Sequence, residues 1–386
     1  MNQLIHSIAQ ALVARGHHVT VYALPNIHRR PVPLLDASGS GIGVIPVPAP
    51  LLVISRIPVL GPLALFWTLR RWPHAAMRRV RRGADDHGRP GVVIADFTSA
   101  DAAMESDAAG GPPAVVLRWA NWAAELASSG RVFGLLGRTL RRIEDRVLAN
   151  ARCIVVNGRD IEMDLAARGA VPPRVVYIPS AIDTGRFSAG YDVADLREAH
   201  ALREYVVLFP SMLRDIKGFD HLLRAFALLP ESLRSATTVV ATGRGDVEVY
   251  RTLADELGIG SAVVFLGEAP AEDIPRWFHL ADVAVFPYLF GAGTSVASVE
   301  ALAAGLPLVA YRVQAFEHIV DDGSTGYLVE VGDIEGLSRA IGSLLADPAL
   351  RERMSSAASA ASAQYDIERI TDSYEQLLRS LAGGDR

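Results

Sequence analysis

Short β-branched and aliphatic runs alternate with longer segments of helical periodicity along nearly the whole chain, and no other feature narrows the fold as far. Such alternation marks βαβ units, whose strands lie parallel and are buried on both faces. In the second half, strands are expected at Tyr205–Phe209, Thr237–Thr242, Val263–Leu266, Val283–Pro287 and Leu308–Tyr311. Helical patterns at Phe219–Leu229, Val247–Leu257, Ala271–Ala281 and Val296–Ala304 separate them. Two of these end on stop signals, Gly258, and Gly305 followed by Pro307. The first half repeats the theme with His18–Ala23, Val92–Ala95, Ala114–Leu117, Ile154–Val156 and Val175–Ile178. The expected fold is α/β, with two doubly wound sheets in tandem.

At 386 residues the chain exceeds what one hydrophobic core serves, so two domains are expected. Turn residues and sparse apolar periodicity from Pro179 to about Ala201 place a linker there. The division is residues 1–184, residues 185–365, and a closing segment 366–386 whose amphipathic helix, Ile367–Leu381, packs back toward the N-terminal domain. The chain opens directly on a helix, Asn2–Arg15, followed by Gly16 and a strand. A βαβ unit is therefore expected to lack its first strand; either the start lies upstream or the sheet has lost an element.

A net charge of −5 argues against a nucleic-acid binder, which needs a dominant basic surface. The single cysteine, Cys153, cannot form an internal disulfide, and with no cleavable signal visible a cytoplasmic location is expected. The apolar stretch between Arg56 and Arg70 contains Pro58 and Pro62 and falls short of the roughly 20 residues that span a bilayer. Further on, Arg70, Arg71, Arg78, Arg79, Arg81 and Arg82 interleave with Phe66, Trp67, Trp72 and Val80. This run reads either as a solvated basic face or as an interfacial helix making peripheral contact with anionic lipid on the inner membrane face.

Of 38 basic residues one is lysine, Lys217. A chain that uses arginine elsewhere has lysine where a compact ammonium and a planar fork differ, and a crowded phosphate suits the point charge. Lys217 ends the loop after strand Tyr205–Phe209, with Ser211 and Arg214, and Gly218 opens the next helix. Ligands of open parallel sheets bind at such strand ends, where helix N-termini attract anions. The plainer reading is a solvated lysine. After strand Val283–Pro287 comes a second loop with Gly291, Ala292, Gly293, Thr294 and Ser295. Its glycines allow close backbone approach, and Thr294 or Ser295 can cap the following helix. Within that helix Glu300 is alone among Val, Ala, Leu and Ser. It is either a binder of sugar hydroxyls, a core glutamate bonded to an arginine such as Arg312, or a residue of a solvated face.

Several motifs in order resemble the nucleotide-sugar glycosyltransferases of the GT-B fold, family 4, over nearly the whole chain. Ile178-Pro179-Ser180-Ala181-Ile182-Asp183 through Phe187 is similar to the family's crossing between domains. Lys217-Gly218-Phe219-Asp220 resembles its donor loop, Phe265-Leu266-Gly267 the strand beside the nucleobase, and Glu300-Ala301 through Gly305-Leu306-Pro307 its donor helix. The resemblance implies two Rossmann-like domains facing across a cleft. It also implies that Lys217 contacts the diphosphate, Glu300 the ribose hydroxyls, and residues from Gly267 and Glu268 the base.

Four departures stand out: Ala292 replaces a glutamate that touches the donor sugar, Met212 the arginine paired with the lysine, and Ala120 a histidine; the first strand and its glycine loop are missing. Arg214 is the substitute for the arginine. With no Asp-x-Asp in the chain, the expectation is that no metal is required. The resemblance implies a retaining transfer from a nucleotide-diphosphate sugar, UDP-sugar favoured, with no cofactor besides that co-substrate. The acceptor is a small-molecule, glycan or lipid-linked hydroxyl, with Asp96, Arg118 and Asn121 as candidate contacts; Asp96 and Asn121 read as readily as turn caps. A non-catalytic binding subunit and a sugar-nucleotide epimerase or phosphorylase are the alternatives.

Overall fold

The structure, a computed structural model, describes residues 2–23, 42–46, 77–78, 91–96, 100–110, 113–118, 145, 148–169, 175–291 and 293–383. Two compact units emerge: Met1–Pro179 with Ile367–Arg386, and Ser180–Asp366.

In the first unit β1 (Val19–Ala23) pairs in parallel with β2 (Ile42–Pro46). A separate four-stranded parallel sheet follows, in the order β3 (Val93–Asp96), β4 (Ala114–Arg118), β5 (Cys153–Val156) and β6 (Val175–Tyr177). Val116, Ile154, Val156 and Val175 pack against Ala100, Ile161 and Leu165 from the helices Ala100–Ala108 and Arg159–Ala167. The helix Asn2–Ala14 lies against the last helix, Ile367–Gly383, within this same unit. Arg15, just past the first helix, binds Glu368 (2.7 Å), Asp372 (2.5 Å) and Glu375 (3.1 Å), and His17 Nε2 lies 2.9 Å from Glu375.

The second unit is a six-stranded parallel sheet of β7 (Tyr205–Pro210), β8 (Thr237–Thr242), β9 (Val263–Gly267), β10 (Val283–Phe286), β11 (Leu308–Tyr311) and β12 (Gly326–Val329). Side chains along a strand alternate faces, and here both faces are covered. Val207, Phe209, Val239, Val283 and Val309 pack under the helices Phe219–Ala227 and Ile334–Ala346. Val206, Leu208, Val240, Ala284 and Leu308 pack under Ile274–Leu280 and Val296–Ala303. That double burial explains why the strands read as unbroken apolar runs.

Three elements depart from the expectations. β2 and β12 are short and bounded by glycine, proline and turn residues, so they read as loop. The segment expected as a linker belongs to the second unit from Ser180 on, with short helices Thr184–Ser188 and Ala194–Ala199. Its few apolar residues act by long-range packing: Phe187 is buried edge-on to Phe278 at 5.6 Å, and Val193, Leu196 and Leu202 lie on the same core. Ile182 N–H donates to the Tyr365 carbonyl at 2.9 Å, and Asp183 caps the first short helix by accepting from Arg186 N–H.

Candidate functional site

The sheet of the second unit runs β12-β11-β10-β7-β8-β9, so the chain builds outward from β7 in one direction and from β10 in the other. β7 and β10 are neighbours at the point where the order reverses. The helices that follow them, Phe219–Ala227 and Val296–Ala303, lie on opposite faces, and the crevice beyond the strand ends is where open α/β sheets bind ligands. Loop 211–217 and loop 287–295 meet there.

The two loops touch backbone to backbone. Leu289 N–H donates to the Ile216 carbonyl at 3.0 Å. Gly218 has φ +65°, and a Cβ there would lie 2.0 Å from the Pro287 carbonyl oxygen. On the other side, Leu213 N–H donates to the Arg244 carbonyl at 2.9 Å. A Cβ on Gly243 would stand 2.4 Å from the Ser211 carbonyl oxygen, and one on Gly245 2.1 Å from that of Leu213. Sequence reasoning missed this Gly243-Arg244-Gly245 turn. Its signal was a pair of glycines directly after an expected strand, the same device as Gly291 and Gly293.

Lys217 closes a 3-10 turn, Asp215–Lys217, with its N–H donating to the Arg214 carbonyl at 2.8 Å. The Lys217 ammonium lies 3.5 Å from the centroid of the Tyr288 ring. Tyr288 is buried, its hydroxyl donates to Ser211 Oγ at 2.9 Å, and the Ser295 hydroxyl lies beside the same phenol. Burial pushes that phenol up to about 12. The structure thus brings Ser211, Lys217 and Ser295 around a tyrosine that sequence reasoning did not select. Arg214 is exposed at the start of the turn, and its guanidinium makes no hydrogen bond or ion pair to a described residue.

Glu300 lies in the helix Val296–Ala303, between buried Val299 and Ala301. Among the described residues its carboxyl makes no hydrogen bond or ion pair. Burial pushes it up to about 7, with Arg186 pulling the other way. The alternative reading of Glu300, a core glutamate paired with Arg312, does not hold: Arg312 binds Glu330 at 2.9 Å and Asp322 at 3.0 Å, beyond the end of β11. Ser295 occupies the N-cap position, but its side chain makes no capping bond; instead Ser298 Oγ donates to the Ser295 carbonyl at 2.7 Å. Gly291 accepts from Ala315 N–H at 3.2 Å, Gly293 is buried, and Thr294 follows it half-buried.

Gly267 and Glu268 stand apart, at the end of edge strand β9. Two strand spacings separate it from β7, about 10 Å. The Gly243 turn spans the gap, its N–H donating to the Gly267 carbonyl at 2.6 Å, and Arg244 pairs with Glu268 at 3.1 Å on the surface. In the first unit Asp96 and Arg118 end the adjacent strands β3 and β4, with Asp96 paired to Leu117. Asn121, Ala120, Ala292 and the run Arg70–Arg82, apart from buried Met77 and exposed Arg78, lie outside the described residues. Among the described residues no cluster of three metal-ligating side chains occurs, and no helix is long and apolar enough to cross a membrane.

Two parallel α/β units, one with a reversing strand order and a cationic, glycine-lined loop pair at the reversal, define a tandem Rossmann-like protein. Residues 1–181 match the family Glycosyl transferase 4-like domain, and residues 193–361 match Glycosyl transferases group 1. The chain belongs to the family 4 glycosyltransferases of the GT-B fold. It is 35% identical over 180 residues to a GDP-mannose-dependent alpha-(1-6)-phosphatidylinositol monomannoside mannosyltransferase of Mycolicibacterium smegmatis, covering 45% of this chain and 47% of that protein. It is 30% identical over 254 residues to a D-inositol 3-phosphate glycosyltransferase of Corynebacterium jeikeium, covering 62% and 60%. The matched stretches thus span about half to three-fifths of these relatives' lengths. Among solved structures, sucrose-phosphate synthase of Thermosynechococcus elongatus superposes with a TM-score of 0.81 at 23% identity, covering 99% of this chain and 93% of that one. Anabaena Alr3699/HepE in complex with UDP superposes at 0.75 and 19%, covering 98% and 96%.

Proposed function

We propose that this protein transfers a sugar from a nucleotide-diphosphate sugar to an acceptor hydroxyl, with Lys217 holding the diphosphate. The observation that carries this reading is the chain's one lysine, held at the β7/β10 crevice with its ammonium 3.5 Å from the Tyr288 ring. As the sugar–phosphate bond breaks, negative charge grows on the departing oxygen. A fixed ammonium, the Arg214 guanidinium and the N–H groups of loop 291–295 stabilise that charge more than the ground state, which is what lowers a barrier. Glu300 receives the ribose hydroxyls, which donate to a carboxyl that no described residue occupies. Ser211 and Gly291–Ser295 line the phosphates and sugar, and Gly267 and Glu268 line the base.

The transfer we infer is retaining and metal-independent. The leaving phosphate oxygen takes the acceptor proton on the same face, so no protein base is required, consistent with Ala120. Asp96, Arg118 and Asn121 contact the acceptor, and the relative named for a phosphatidylinositol mannoside supports a lipid-linked one. Sedimentation with phosphatidylinositol-containing vesicles tests the basic run Arg70–Arg82 as a peripheral anchor; wild-type protein left in the supernatant rejects it.

A thermal-shift panel of UDP-, GDP-, ADP- and dTDP-sugars identifies the donor, because a ligand of the folded state raises its stability. Sequence reasoning favours UDP, while the relative is named for GDP-mannose. No shift with any of the four overturns the reading. The second reading, a non-catalytic binding subunit, is favoured by Ala292 and Ala120. It wins if a donor binds and is neither transferred nor slowly hydrolysed.

A further inference from the structure

We propose that Tyr288 is a positioning residue for Lys217: its ring seats the ammonium where the diphosphate arrives, and its hydroxyl, tied to Ser211, fixes the ring. This rests on the reading that Lys217 meets the diphosphate.

A lysine side chain has four rotatable carbons, and freezing them on binding weakens affinity unless they are ordered beforehand. The face of an aromatic ring is electron-rich and attracts a cation, more strongly where water is excluded. Tyr288 is 4% exposed, so its ring offers such a face at the edge of the core. The ring itself has little freedom. It meets Phe286 edge-on at 5.9 Å and Phe316 at 5.1 Å, and its hydroxyl bonds Ser211 at 2.9 Å. Because Tyr288 follows β10 and Ser211 follows β7, the seat is built from both sides of the crevice. The phenol is neutral at physiological pH, as a tyrosine ordinarily is, and so stands as a donor to Ser211. The seat also explains the lysine. A guanidinium stacks flat on a ring with its donors in a plane parallel to it, whereas an ammonium on the same ring also directs N–H groups away from the ring.

The test uses the full chain labelled with 13Cε-lysine, which gives one lysine signal. In the wild type the ring current moves that signal away from its solvent position. Tyr288→Phe keeps the displacement and Tyr288→Leu abolishes it. Titrated with UDP, GDP, ADP and dTDP, Tyr288→Leu binds the nucleotide that wild type recognises about tenfold more weakly, and Tyr288→Phe binds it within about twofold of wild type. In a Lys217→Ala background, Tyr288→Leu has no further effect. Undiminished affinity in Tyr288→Leu, or an equal loss in the Lys217→Ala background, overturns the proposal. If the leucine variant is unfolded by circular dichroism, the wild-type signal decides, and a solvent-like position overturns the proposal. A wild-type chain that binds none of the four nucleotides removes the functional reading and the proposal with it; lost coupling in a chain that binds removes the proposal alone.

Discussion

Gly218 and Pro287 touch so closely that a Cβ on the glycine would lie 2.0 Å from the proline carbonyl oxygen. The contact joins the loops after β7 and β10 and sets where Lys217, one residue earlier, can stand. Gly218→Ala must shift backbone against backbone at a φ of +65°, where L side chains are strained. The expected loss is about 1–3 kcal/mol in a urea melt, together with weaker nucleotide-sugar affinity. Full stability in the variant would show that the loops separate freely.

Glu300 gives a pH dependence whose sign is fixed by its raised pKa. The folded carboxyl holds its proton up to about 7, against 4.5 when unfolded. Between those values the folded state binds the extra proton, so stability falls as pH rises and levels off above 7, by up to about 3 kcal/mol. Glu300→Gln is therefore more stable than wild type at pH 8 and no more stable at pH 4. Ribose hydroxyls donating to the carboxylate favour its ionised form. Affinity for an intact nucleotide-sugar then rises with pH from about 5 to 7, and Glu300→Gln flattens that rise. A calorimetric pH series on both proteins measures it; equal slopes would remove Glu300 from the ribose.

Arg15 joins three carboxylates of the last helix within the first unit. His17 and Arg15 hold Glu375 down at about 2, against a value of 4.5 outside the fold. That contribution is complete above pH 4.5 and is lost as pH falls toward 2. Arg15→Ala should melt earlier than wild type at pH 7, and the two melting curves should converge as pH falls through that window. A constant gap would place the stabilisation in packing of the arginine stem.

The alternation of strands and helices was legible because parallel strands buried on both faces leave unbroken apolar runs such as Val206-Val207-Leu208-Phe209. β12 was not, because Gly326 packs against the Leu308 carbonyl, a demand of register invisible to periodicity. The segment after Ser180 failed for the same reason: Phe187 gains its place from Phe278, 91 positions away in sequence. At the site, Lys217 stood out by composition and Glu300 by contrast with its helix. Tyr288 did not, since an aromatic at a strand end reads as core. Its ring is core, and only the structure shows Lys217 on its face.

The central claim is that Lys217 grips the diphosphate as a point charge. Lys217→Arg preserves charge and changes shape, so turnover and donor titration of that variant, with whichever nucleotide-sugar the panel identifies, test it most directly. The account predicts loss of most activity and at least about tenfold weaker binding of the nucleoside diphosphate. Wild-type turnover and affinity in Lys217→Arg would contradict it.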